Sequence, residues 1–248
     1  RERVLKACEE LNFEPNFFAA NLIERQTKII GYIFNSKPDY SHFNVGLHLT
    51  SACIYESSLC GYNLCFYFIP DINTIVDMFN SGRLPIDGAI LTEPKLDGLN
   101  ERTLDNEHLP FVVIGSPIGE NIPYVDVDNK SLVKTITSKL ICGYGKDIYL
   151  LNSARGTTIA SDRYEAFNEI CNENNINALD HHFNLSSAND ISINKDIYNK
   201  VQKNTSFIVA DAQMAQALYK IIIDKNLLIG KDVGVFALAS LIRLDTNH

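Results

Sequence analysis

The stretch SLVKTITSKLICGYGKDIYLLN, residues 131–152, passes from a helix into a strand. Apolar residues recur at helical spacing through Ser131–Cys142 and then run together over Ile148–Asn152, as in a strand covered on both faces. Between the two lies Gly143-Tyr144-Gly145-Lys146. A glycine pair of this kind resembles a phosphate loop, but such loops run from strand to helix and present the helix N-terminus to the anion. Here the order is reversed, so the glycines read as a left-handed cap that ends the helix. Helix, cap and buried strand together make one unit of a parallel α/β fold.

The same texture extends in both directions. The patterning predicts strands at Ile29–Phe34, Tyr62–Ile69, Gly88–Thr92, Phe111–Ile114, Ala178–Phe183, Ser206–Ala210 and Val233–Leu238 besides the one above. Helical patterns fall at Val45–Leu59, Thr74–Asn80, Ala160–Asn174, Ile193–Lys203 and Met214–Lys225. Around Ile122–Asn129 the alternation is interrupted by Pro123, Tyr124 and the run Asp126-Val127-Asp128-Asn129. A crossover there divides the chain into two similar Rossmann-like lobes. Ligands of open α/β sheets sit off the carboxyl ends of the strands, so a cleft between two such lobes is a binding architecture.

Composition sets the outer limits. The 248 residues are 46% hydrophobic and 21% charged, enough apolar material for a sizeable core and too little charge density for a disordered chain. No segment approaches the roughly 18 uninterrupted apolar residues of a membrane span. Lys+Arg 22 against Asp+Glu 30 gives a net charge of −8, which by itself offers nothing to nucleic acid or an anionic membrane. Residues 1–28, however, hold five basic and five acidic side chains, so the whole excess lies in the rest of the chain. Six cysteines without a C-x-x-C pair are read as reduced and buried, which places the chain in the cytoplasm.

The first residues are of another kind. Val4, Leu5, Cys8 and Leu11 form one apolar face of a charged helix, and Pro15-Asn16 breaks it. Asn16 can cap a second short helix carrying Phe17, Phe18, Leu22 and Ile23. At roughly two turns it is too short to stand alone and needs a partner.

Chemistry-bearing motifs are sparse. His181-His182 has no further ligands at metal spacing, and no G-x-S-x-G elbow is present. Asp126 and Asp128 share a face as alternate residues of an extended segment. They could work as an acid/base pair, although Asp-rich crossovers more often bond backbone. Arg163 follows Ala160-Ser161-Asp162 near a helix start at the carboxyl edge of the second lobe. Its guanidinium can make bidentate bonds to a hydroxyl pair, a carboxylate or a phosphate, or it can pair with Asp162. No nucleophile, base or metal constellation converges, so no enzyme and no cofactor is expected.

These residues resemble the LacI/GalR family of bacterial transcriptional regulators. Arg1–Phe13 is similar to the last helix of that family's helix-turn-helix headpiece, Pro15-Asn16 with Ala19 and Leu22 to its hinge helix, and Thr27–Gly31 to its first core strand. Asp87-Gly88-Ala89-Ile90-Leu91, Val127-Asp128-Asn129, Gly143–Ile148 and Asp162–Phe167 resemble further family motifs. The resemblance implies a periplasmic-binding-protein type I fold divided as 1–13 headpiece remnant, 14–27 hinge helix and linker, 28–126 N-terminal lobe and 127–248 C-terminal lobe. It also implies a family core that continues beyond His248. Its partners would be operator DNA, a small effector such as a sugar or sugar derivative, and a second copy in a homodimer, with no membrane. Asn16, Ala19 and Leu22 would then lie in the minor groove, Leu22 as the wedge that kinks the duplex.

The resemblance implies an effector site of Arg163 and Asp211 from the second lobe, with Tyr40, Phe43, Thr92 and Ser116 from the first. Two departures matter. Asp211 stands where the family carries asparagine, and Ala239, beside Ser240, stands where it carries a sugar-binding aspartate. A free hexose is therefore a poor expectation, and a ligand that wants a cation plus one acceptor, or no ligand at all, stays open. A stand-alone periplasmic sugar-binding protein is the alternative.

Overall fold

The computed structural model describes residues 26–34, 40–68, 72–106, 109–153 and 156–238, with Lys6 and Glu10 besides. In chain order the elements are β1 (Ile29–Phe34), α1 (Tyr40–Leu59), β2 (Asn63–Phe68), α2 (Ile72–Asn80), β3 (Gly88–Thr92), α3 (Leu99–Asn106), β4 (Phe111–Ile114) and β5 (Tyr124–Val125). There follow α4 (Asn129–Tyr144), β6 (Ile148–Ser153), α5 (Thr158–Glu173), a 3-10 turn (Ala178–His181), β7 (His182–Leu185), α6 (Ala188–Ile193), α7 (Lys195–Lys200), β8 (Thr205–Val209), α8 (Ala212–Asp224) and β9 (Val233–Ala237).

The strands form two parallel sheets, ordered β2-β1-β3-β4-β5 and β7-β6-β8-β9. In both, the first strand is internal, with the second flanking it on one side and the third on the other. The point where the order reverses lies between β1 and β3 in one sheet and between β6 and β8 in the other, and such points open a crevice at the strands' carboxyl ends. All of Ile148–Asn152 is buried. Tyr149 and Leu151 join one core with Leu218 and Ile222 of α8, while Ile148 and Leu150 join the opposite core with Val133 of α4 and Phe167 of α5. Burial on both faces is why this strand is an apolar run rather than an alternation. The first sheet packs Ile33, Ala89, Leu91 and Val113 against Ile75 of α2 and Leu104 of α3.

Capping fixes the helices that lead to the cleft. Asp128 caps α4 by accepting from Ser131 N at 2.8 Å. That helix ends at Gly145, with φ 93, and Gly145 N donates to Ile141 O at 2.9 Å. Gly143 lies within the helix.

Four sequence expectations are corrected. Ala178–Phe183 is not one strand: Asn177 accepts from Leu179 N at 3.4 Å and donates to Asp180, curling the segment into a 3-10 turn before β7. Ile193–Lys203 is not one helix. Its pattern is split at Asn194, whose side chain accepts from Asp196 N and Ile197 N and starts α7 afresh. The cysteines are not uniformly buried: Cys171 is, but Cys60 and Cys142 are exposed. The helix α3, LNERTLDN, was absent from the patterning because its polar residues mask an apolar side made by Leu104.

Candidate functional site

The two reversal points meet. The segment after β3 crosses to the start of α5: Thr158 N donates to Pro94 O at 3.1 Å, Leu96 N donates to Gly156 O at 3.3 Å, and Lys95 and Thr157 form an antiparallel bridge. At this edge Glu93 takes a left-handed φ of 56, a conformation that non-glycine residues hold at a cost of order 1–3 kcal/mol. Gly115, with φ 110, lets the chain after β4 lie against Pro94; a Cβ there would be 2.8 Å from Pro94 Cδ and 3.3 Å from Ile159 Cδ1. The lobes are thus in backbone contact beside the cleft.

Ser116 follows Gly115 and is held by the crossover. Its N and its Oγ donate to Asp126 Oδ2 at 2.9 and 2.8 Å, while Asp126 Oδ1 accepts from Val127 N at 2.7 Å. The amide of Asn129, a residue only 3% exposed, donates to both oxygens of Asp126 at 3.2 and 3.4 Å. Its Oδ1 accepts from Arg163 Nε at 3.3 Å. A chain of contacts therefore runs from the first lobe through the crossover to the guanidinium of α5: Ser116, Asp126, Asn129, Arg163. Burial pulls the Arg163 guanidinium below its ordinary pKa, and the charges of Asp126 and Asp211 oppose that pull. Asp211 ends the carboxyl edge of β8 and caps α8, accepting from Met214 N at 2.8 Å.

Beside this chain is a cavity of about 320 Å³ lined by Ser116, Tyr124, Asp126, Val127, Asp128, Asn129, Lys130 and Asp162. That is the lower end of the size of small-molecule sites. Lys130 Nζ sits between Asp162, at 3.2 Å, and Glu165, at 2.7 Å. Asp162 thus pairs with Lys130 rather than with its neighbour Arg163.

Of the sequence-derived candidates, Ser116 lines this cavity, Arg163 donates to Asn129 beside it, and the charge of Asp211 acts on Arg163. Thr92 is at the reversal point, its Oγ1 donating to Ile33 O at 3.4 Å. Tyr40 and Phe43 fall in the first turns of α1, and their side chains lie outside the described residues. Asn16, Ala19, Leu22, Ala239 and Ser240 also lie outside them. Asp126 and Asn129 were missed as site members. The Val127-Asp128-Asn129 motif contained the signal for Asn129, but nothing local shows that Asp126 reaches back ten residues to Ser116. Asp126 and Asp128 do not form an acid/base pair: one is loaded with donors from Ser116, Val127 and Asn129, and the other caps α4. His181 Nδ1 lies 2.7 Å from Ile148 O and its ring stacks on Tyr149. Among the described residues no group of three or more His, Cys, Asp or Glu could hold a metal.

No family model matches the chain. It is 28% identical over 182 residues to the ribose operon repressor of Halalkalibacterium halodurans, covering 71% of this chain and 51% of that protein. It is 25% identical over 174 residues to the HTH-type transcriptional regulator MalR of Streptococcus pneumoniae, covering 68% and 52%. The chain spans about half the length of the curated relatives it matches. Among solved structures, the lac repressor dimer bound to operator and the anti-inducer ONPF superposes with a TM-score of 0.75 at 20% identity, over 94% of this chain and 71% of that one. At that identity the structural likeness speaks for the fold.

Proposed function

We propose that this chain, which belongs with the LacI-family regulators, is the hinge and effector-binding core of a DNA-binding transcriptional repressor. In this reading residues 1–13 end the headpiece, 14–27 form the hinge, and 28–126 and 127–248 are the two lobes. The observation that supports it best is the chain Ser116, Asp126, Asn129, Arg163, which spans both lobes at the carboxyl ends of their strands. An effector bound there changes the angle between the lobes and so the spacing of two hinge helices in a dimer, coupling two sites through one rigid-body change.

The partner surface fits this reading. Leu49, Ile54, Tyr55 and Leu59 of α1 and Phe66 and Phe68 of β2 are exposed, an apolar area larger than isolated surface residues explain and suited to a second copy. The acidic core leaves the phosphate-binding charge to the DNA-binding part. No helix among the described residues is long and apolar enough to cross a membrane, and the cytoplasm is the compartment in which a repressor works. The cleft binds its ligand without turning it over. The matched relatives are regulators, which disfavours a stand-alone binding protein.

Two measurements test this. With full-length protein and a selected palindromic operator, Leu22→Ala weakens binding by tenfold or more, about 1.4 kcal/mol. Equal binding removes the wedge. A ligand found by thermal shift raises the melting temperature of the parent and not of Arg163→Ala.

A further inference from the structure

We propose that Pro94–Leu96, which follows β3, and Gly156–Thr158, which leads into α5, form a releasable latch between the two lobes. It gives the angle between them a control that lies outside the ligand cavity and does not depend on what the cleft binds.

The latch is made of backbone. Thr158 N donates to Pro94 O at 3.1 Å and Leu96 N donates to Gly156 O at 3.3 Å, on either side of the antiparallel pair Lys95 and Thr157. Both donors are amides that their own element leaves without an acceptor. Thr158 is the first residue of α5, so its N–H has no partner within the helix. Leu96 occupies the second position of the turn in which Gly98 N donates to Lys95 O at 3.1 Å, and the N–H at that position takes no part in the turn. The opposite lobe supplies the acceptor in each case. None of these residues lines the cavity beside Arg163.

The two halves differ in firmness. On the α5 side Thr157 and Thr158 are buried, and Thr157 Oγ1 accepts from Ala160 N at 3.3 Å, so this half moves with its helix. On the other side Glu93 holds a left-handed φ of 56 immediately before Pro94, and Leu96 is exposed. Proline biases the residue before it toward extended backbone, and a non-glycine residue keeps a left-handed conformation only where its surroundings impose it. The cross-lobe bonds hold the residues that follow Glu93, and parting them lets it relax, which offsets part of the lost bonding. Bonds and backbone strain thus pull in opposite directions, the condition for two arrangements close in free energy. Pro94 also abuts Gly115, where a Cβ would stand 2.8 Å from its Cδ. A separation of the lobes that pivots on the crossover therefore parts the latch.

Proline substitution removes one bond at a time without breaking either element. Proline is favoured at the first helical position and at the second position of such a turn. Thr157, with φ −91 and ψ 156, is already extended, as the residue before a proline must be. The measurements are amide hydrogen exchange and solution scattering on the full chain. In Thr158→Pro the Leu96 amide exchanges about tenfold faster or more, and in Leu96→Pro the Thr158 amide does the same. Both variants have a larger radius of gyration than the parent, and the Leu150 amide, within β6, keeps its protection. An unchanged rate at the remaining amide shows two independent contacts, and faster exchange at an unchanged radius shows segments that part without the lobes; either overturns the latch. Loss of protection at Leu150 in both variants overturns it too, because the bonds then hold up the fold itself. Leu96→Pro leaves α5 untouched, so it decides the matter where Thr158→Pro alone fails to fold.

Discussion

Asp87 grips Thr27 across sixty positions of chain: its Oδ1 accepts from Thr27 N at 2.7 Å and from Thr27 Oγ1 at 2.8 Å. Its Oδ2 accepts from Lys28 N at 2.9 Å, and its own N donates to Ile29 O at 2.8 Å. The residue that opens β3 therefore pins the chain where it enters β1.

Removing the clamp has a calculable sign. Burial pushes the Asp87 carboxyl up, but the bonds from Thr27 and Lys28 outweigh it and hold the group below its ordinary pKa. A carboxyl depressed in the folded state contributes stability above its unfolded value, near 3.9, and loses it as pH falls through the folded value. Asp87→Ala is expected to cost about 1–3 kcal/mol at pH 7, since two backbone donors lose their acceptor. Urea unfolding at about pH 7 and pH 3 checks this, and the penalty shrinks at the lower pH. A penalty that stays the same at both would refute the assignment.

How far the sequence led can be judged residue by residue. The strands Ile29–Phe34, Gly88–Thr92 and Phe111–Ile114 stand where their apolar runs put them, because a short unbroken apolar run bounded by turn residues marks a strand of a parallel sheet. Asn194 and Asn177 were decided otherwise, by side chains that cap backbone and override periodicity over one turn. The positions of Arg163 and Asp211 near the starts of helices that follow strands were legible, Asp211 as an N-cap and Arg163 in the second turn. Asp126 was not, since its role depends on a contact with Ser116 that only the crossover's path creates.

Gly115 gives the next prediction. With φ 110 and a virtual Cβ 2.8 Å from Pro94 Cδ, the position is closed to larger residues both by backbone conformation and by space. Gly115→Ala is expected to cost about 1–3 kcal/mol and to displace Pro94 from its bond with Thr158 N. The result is a lower melting temperature together with a larger radius of gyration in solution scattering. Native values of both would show that the lobes do not depend on this contact.

The cysteines divide by exposure. Cys171 is fully buried, and burial pushes its thiol up to about 12. The reactive species is the thiolate, so near pH 8 the folded chain should label at the exposed Cys60 and Cys142 well before Cys171. Mass spectrometry after brief iodoacetamide treatment reads the order, and denaturant should abolish it. Early modification of Cys171 in folded protein would contradict the packing of α5 on β6.

His182 supplies a pH dependence of a different origin. Its ring lies 4.4 Å from that of Tyr164, and its Nε2 is buried without a hydrogen-bond partner among the described residues. Burial lowers its pKa, because the charged form loses solvation and gains nothing in exchange. The unfolded chain, titrating near 6.5, therefore binds a proton before the folded one does. Stability from this site is full above that value and falls as pH drops toward the folded pKa, at no more than about 1.4 kcal/mol per pH unit. His182→Phe keeps an aromatic ring against Tyr164 and removes the titration. Unfolding free energies between about pH 7 and pH 5 should decline more steeply for the parent than for the variant, and parallel slopes would show that His182 is not charged on unfolding in this range.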